Sequence, residues 1–276
     1  MFNLLHDPFL QMAFLASLLA SLASGTIGSF VVVKRIVFIA GSISHSILAG
    51  LGLCLWLQRV QGISWADPIV GAFLSAVLSA LLIGWIHLKH RQREDSVIAA
   101  TWSTGMAIGV VFLALTPGNN AEILNYLFGN ILWITQRDLL LLGILNGILL
   151  TLLALNYRKF VALCFDEEQA LLQGIPVQRL YLLLLAMVAT TIVFLVQVIG
   201  IVLVIALLAI PATLAGLFTH RLPSMMFLAT CFCAALSAMG LSVSYTLDWP
   251  PGATISLFAA FAYLLGLVLK RKILVR

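Results

Sequence analysis

From Tyr181 to Thr219 the chain carries no charged side chain. As one straight helix this run would be about 58 Å long at 1.5 Å per residue, nearly twice the hydrocarbon thickness of a bilayer. Water does not tolerate such a surface, so the run belongs in a membrane, where it must pass twice or bend. Its single amide and a glycine, in Gln197-Val198-Ile199-Gly200, mark the place for the break.

The remaining residues agree. Of 276 residues, 62% are hydrophobic and 9% are charged, against roughly 45–50% apolar and about 25% charged in ordinary globular chains. So few charges cannot keep a soluble protein of this size dispersed. A soluble enzyme, a disordered chain and a collagen-like fibre are excluded. The cysteines Cys54, Cys164, Cys231 and Cys233 form no C-x-x-C pair and imply no disulfide scaffold. The net charge of +5 is not a nucleic-acid signal, because the bases cluster at the ends of apolar runs, the pattern that orients spans. Residues 1–11 carry Asp7 and no Lys or Arg, so the positive n-region of a cleavable signal is missing.

The stretches able to cross are Phe9–Val33, Ile36–Gln58, Pro68–Leu88, Ser96–Thr116, Asp138–Tyr157, the long run Tyr181–Thr219, Pro223–Leu247 and Ala253–Leu269. With the long run passing twice, about nine spans are expected. The apolar piece Ile123–Ile134 is too short to cross and is expected in the interface or as a re-entrant helix. Its placement decides the orientation. If it does not cross and the amino terminus is outside, every Lys and Arg except Arg59 and Arg137 faces the cytoplasm. If it crosses, most of them move outside, against the positive-inside rule. The expectation is an all-α, multi-pass membrane protein with its carboxyl terminus cytoplasmic, in one transmembrane domain over residues 1–276. Small residues recur at four-residue spacing: Ala13, Ser17, Ser21 and Gly25; Gly71, Ser75 and Ser79; Thr101, Gly105 and Gly109; Gly143 and Gly147. Such stripes let helix backbones approach closely in lipid.

Chemistry has few places to reside. No G-x-x-x-x-G-K-[ST] occurs, so the chain has no P-loop for ATP, and ATP-driven work needs a partner. One ionisable residue lies deep. His45 is ten residues past Arg35, about 15 Å into the membrane at helical rise. Its face carries Gly41, Ser42, Leu48, Ala49 and Gly52, small and partly polar. A neutral imidazole there suits a transition metal, a proton relay or a hydrogen bond to a serine. The longest cytoplasmic loop holds Asp166, Glu167 and Glu168 before a short helical stretch through Ala170, with Gly174-Ile175-Pro176 ending it. It suits either an amphipathic connector or a docking element for a cytoplasmic motor. Outside, Asp7, Asp67, Glu122, Asp138 and Asp248 face only Arg59 and Arg137, a weakly acidic mouth that concentrates cations or docks a basic partner.

Four stretches together resemble the membrane subunits of bacterial ABC importers for zinc, manganese and iron. They are Gly28–Arg35 with Ser42–Gly50, Tyr126–Leu132, Asp166–Pro176, and Gly200–Leu203 with Leu207–Thr213. The first is similar to the family's second-span histidine motif, and the second to its short Leu-Phe-Gly element. The third looks like the loop that inserts into the ATPase, and the fourth like its Gly…Leu-Leu-x-x-Pro-Ala-x-Thr segment. The resemblance covers nearly the whole chain. It implies a cobalamin-importer type of fold and a divalent transition metal as cargo, with ATP bound on a partner and no cofactor held by this chain itself. The implied partners are an ABC ATPase dimer, a second membrane subunit, an extracytoplasmic metal-binding protein and membrane lipid of the bacterial inner membrane, with no nucleic acid. It marks His45 as a translocation-path ligand, Asp166 to Pro176 as the coupling loop, and Gly41, Ser42, Gly200, Pro211 and Thr213 as path or packing positions. Many members carry Asp four residues before the histidine and Pro at the position of Ala49. Here the first of these is Gly41, which leaves His45 only hydroxyl neighbours. A secondary transporter of a metal or small solute would usually carry buried mid-span carboxylates, and none is present. An intramembrane protease needs Ser and His on separate helices, and Ser42 and Ser44 share the helix of His45.

Overall fold

A computed structural model describes residues 8–89, 94–118, 129, 131 and 134–274. The described chain is helix joined by short connections. The helices are α1 (Pro8–Val33), α2 (Val37–Arg59), α3 (Pro68–Lys89), α4 (Glu94–Leu115), α5 (Gln136–Phe165), α6 (Glu167–Leu172), α7 (Val177–Phe218), α8 (Leu222–Leu247) and α9 (Pro251–Leu274). Among the described residues, eight of these are long and apolar enough to cross a membrane. Only helices satisfy every backbone N–H and C=O inside lipid without a partner strand, which is why so apolar a chain takes this form. Of the short piece Ile123–Ile134, with its Leu-Phe-Gly element, only Gly129, Ile131 and Ile134 lie among the described residues.

The long apolar run is α7, 42 residues, and it breaks at Gly200, where φ is 78° and ψ is 161°. That backbone region is open to glycine and closed to residues with a Cβ. On either side, residues 177–199 and 201–218 are each about as long as the bilayer core is thick. Gly129 packs directly on the backbone of Ile199 and Gly200. The amide of Gln197 donates to Asp138 Oδ1 at 3.0 Å. The other Asp138 oxygen accepts from the Thr135 backbone N–H and hydroxyl at 3.0 and 2.7 Å, capping the start of α5.

The chain divides into two compact units, each discontinuous in sequence. The first comprises 1–34, 123–155 and 194–276. In it α1 lies against α8, and α8 against α9. The stripe Ala13, Ser17, Ser21 and Gly25 is buried, and a Cβ on Gly25 would meet the backbone N of Thr230 at 2.5 Å. Asn146 donates to Leu19 O at 3.0 Å and Leu142 O at 2.9 Å, joining α5 to α1. Gly143 and Gly147, the stripe on α5, face open space: a Cβ on either would have nothing within 4 Å.

The second unit comprises 35–122 and 156–193. There α2 lies against α3 and α4. A Cβ on Gly105 would stand 2.6 Å from Ser46 Cα, and one on Gly109 2.6 Å from the Leu48 carbonyl. Gly50 and Gly71 bring the backbones of α2 and α3 into direct contact. Lipid tails give helices no hydrophobic reason to associate, so close van der Waals approach of this kind holds the bundle. The α5 helix runs on past Arg158 and Lys159 to Phe165. It therefore extends beyond the span Asp138–Tyr157 expected from the sequence, because charges mark the edge of the membrane and do not end a helix.

Candidate functional site

His45 is half-buried in the middle of α2. Its serine neighbours are committed elsewhere. Ser42 donates to Ile98 O on α4 at 3.0 Å. Ser44 donates to Ala40 O at 2.9 Å and Ser46 to Ile43 O at 2.9 Å, each within its own helix. The imidazole instead stacks on Trp102 of α4, with centroids 4.5 Å apart and planes 14° from parallel. Its Nδ1 is buried and has no hydrogen-bond partner among the described residues. Gly41, one turn before, also lies under this indole: a Cβ there would touch the ring at 3.5 Å. Among the described residues no three His, Cys, Asp or Glu side chains gather where a metal could be held.

Trp102 was not singled out by sequence reasoning. Its signal was a bulky aromatic inside Thr101-Trp102-Ser103-Thr104-Gly105, a stretch of otherwise small residues. Close by, α2, α3 and α4 enclose a groove of about 660 Å³ with Ser46, Ala49, Ser75, Ser79, Thr101 and Thr104 in its wall. Of the small face expected around His45, the groove takes in Ala49; His45 itself does not line it.

The Asp166–Pro176 segment folds as a helix closed at both ends. Asp166 is the N-cap, its Oδ1 accepting from the Gln169 N–H at 2.9 Å. Glu167 and Glu168 occupy the first turn, where their charge suits the helix dipole. At the far end Ile175 N–H donates to Ala170 O and Gly174 N–H to Leu171 O, both at 3.0 Å, with Gly174 at φ 75°. These paired bonds with a left-handed glycine satisfy the last carbonyls of so short a helix. Ala170 is buried, whereas Leu172 is 89% exposed and Leu171 and Phe165 are also exposed. Pro176 is exposed and Ile175 half-buried. The sequence had pointed to the acids and the glycine; the outward leucines are visible only once the helix phase is fixed.

The fourth motif lies in the first unit. Pro211 is buried within α7, and Thr213 donates to Ala209 O of its own helix at 2.7 Å. Gly28 of α1 packs directly on the Leu208 carbonyl. The described acids expected at an external mouth sit at helix ends. Asp67 accepts from Ile69 N–H at 2.8 Å, Asp138 caps α5, and Asp248 closes α8 at φ 53°. Asp7 and Glu122 lie outside the described residues.

A family model described as the ABC 3 transport family matches residues 6–270. A Chlamydia pneumoniae protein described as a "probable metal transport system membrane protein" is 44% identical over 98% of this chain and 93% of its own length. The manganese transport system membrane protein MntC of Halalkalibacterium halodurans is 32% identical over 96% of this chain and 88% of its own. Among solved structures, PsaBC from Streptococcus pneumoniae in complex with Fab superposes with a TM-score of 0.83 at 28% identity, covering 96% of this chain and 93% of that one.

Proposed function

Since the chain belongs to the ABC 3 transport family, we propose that it is the membrane-spanning subunit of an ATP-driven importer. Its cargo is a divalent transition metal, zinc, manganese or iron, received from an extracytoplasmic binding protein. The observation that carries the reading is α6: a helix of six residues, capped at both ends, that turns Leu171 and Leu172 outward between two spans. A rigid apolar knob on a loop suits insertion into a soluble partner, and the lack of a P-loop here requires an ATPase partner. The relatives' printed roles in metal and manganese transport supply the cargo class. ATP hydrolysis on that partner pushes on α6, and the spans pass the metal inward by way of His45. A second membrane subunit completes the path.

Co-expression with a partner ABC ATPase should give a complex that survives mild detergent and takes up metal only with ATP. In that complex His45→Gln, a poor metal ligand of similar size, should abolish uptake and leave assembly intact. Uptake at the wild-type rate would make His45 a packing residue, and uptake by this chain without any ATPase would favour a secondary transporter.

The distribution of the bases supports an orientation with the amino terminus outside and the carboxyl terminus in the cytoplasm of a bacterial inner membrane. Leu172→Cys, on the most exposed position of α6, should then react with an impermeant thiol reagent only from the cytoplasmic side. Labelling from outside in intact cells would reverse the orientation.

A further inference from the structure

We propose that the groove between α3 and α4 holds one acyl chain of a bilayer phospholipid, with Lys89 at its mouth taking the phosphate. The reading needs only that the protein spans a membrane, and it is independent of cargo and ATPase.

The groove exists because α3 and α4 each pack on α2 and touch one another little. Small residues from all three helices line it, among them Ala49, Ser79 and Gly105. Leu78, Leu82 and Ile108 line it too, and all three are exposed. The hydroxyls in the wall offer a polar guest little. Ser46 donates to Ile43 O at 2.9 Å, Ser75 to Ala72 O at 3.0 Å, Thr101 to Val97 O at 2.8 Å and Thr104 to Ala100 O at 2.6 Å. With these donors turned to carbonyls of their own helices, the wall presents mainly carbon. A hydrocarbon guest restores the dispersion contacts that an empty groove forgoes.

Length decides between guests. The lining runs from Ser75 to Ile86 on α3 and from Ser96 to Ile108 on α4, about 16 and 18 Å at helical rise. One leaflet's half of the hydrocarbon core is about 15 Å. The groove therefore matches the depth from headgroups to midplane, which is the reach of one acyl chain. A helix about 10 Å across would occupy about 1,400 Å³ over that length, about twice the groove's 660 Å³.

The mouth supplies the charge. Lys89 stands three residues past Ile86 and seven past Leu82, so it continues the groove face of α3. It is exposed, and its Nζ lies 5.0 Å from the centre of the exposed Trp85 ring. A tryptophan beside a lysine at the end of a span marks the headgroup level, and the cation–π contact keeps the ammonium at the end of the groove. From Lys89 to Asp95 the sequence carries three bases and two acids, so the mouth keeps a net positive charge. The phosphate of a phospholipid is the anion that a bilayer presents at that depth.

The test strips the full-length chain of lipid in mild detergent, reloads it with palmitoyl-oleoyl phosphatidylglycerol and counts bound lipid by native mass spectrometry. One phosphatidylglycerol per chain should be retained. Diacylglycerol with the same acyl chains, which lacks the phosphate, should be retained about tenfold less, and Lys89→Glu should lower phosphatidylglycerol retention by about tenfold. Ser79→Phe and Thr104→Phe, which fill the groove from α3 and from α4, should each abolish retention. Val110→Phe adds the same bulk at an exposed position of α4 outside the groove and should retain the lipid. Wild-type retention in both filled variants overturns the proposal, as does diacylglycerol held as tightly as phosphatidylglycerol. A lipid-free dimer mass that the filled variants break also overturns it, because a second copy of the chain would then occupy the groove. Should both filled variants misfold, the Lys89→Glu and diacylglycerol measurements decide alone.

Discussion

Between α2 and α4 glycine works by what it leaves out, and at the end of α6 it works by the angle it permits. Gly105 and Gly109 are ordinary helical residues whose missing Cβ lets two backbones meet. Gly174 has nothing within 4 Å of a Cβ position and is needed for its φ of 75°. The first pair sits beside His45 and makes that region rigid through contact between helices. The second holds a turn through local backbone bonds, with Leu171 and Leu172 exposed on the helix before it. One region is built to keep a geometry, the other to present a surface.

Three substitutions would test that contrast. Gly105→Val should do the most damage, because its branched side chain meets the Ser46 backbone, which cannot yield as a flexible side chain can. Overpacking of this kind costs about 1–3 kcal/mol or more. The variant should lose a folded, ATPase-bound complex in a thermal-stability assay in detergent. An unaltered melting profile would mean that α4 can shift and that the Trp102 stack is not pinned. Gly174→Arg should do less to stability and more to function. A non-glycine residue in the left-handed region costs about 1–2 kcal/mol, confined here to the cap of α6. The complex should assemble and hydrolyse ATP with little metal uptake. Gly174→Ala, with the same strain and no bulk, should retain part of the coupling. Full coupling in Gly174→Arg would show that the turn plays no part in docking.

Much of this was legible in the sequence, for identifiable reasons. Apolar length alone reveals the spans, because the bilayer imposes one thickness on all of them. The break in α7 was marked by Gln197 and Gly200, and the structure puts the non-helical residue at Gly200. The caps of α6 were readable because capping depends on residues within a turn of one another: Asp166 at one end and Gly174 at the other. Trp102 was not readable as a neighbour of His45, because their stack joins α4 to α2, 57 residues apart in sequence, and no local pattern encodes such a register. The continuation of α5 beyond Lys159 was missed for a different reason. Hydropathy reports where lipid ends, and a helix with good formers carries on into water.

That continuation gives the protein a height. From Lys159 to Phe165 α5 climbs about 9 Å at 1.5 Å per residue before α6 begins. If Arg158 and Lys159 float at the headgroup level, as bases beside a span do, α6 stands clear of the lipid surface, and an ATPase reaches it without pressing on the bilayer. The same stalk makes the height of α6 sensitive to membrane thickness. A thicker bilayer draws the charged collar outward or tilts the span, at a fraction of a kcal/mol per Å, and the knob sinks toward the headgroups. The lipid in which the chain sits thereby adjusts how far α6 projects.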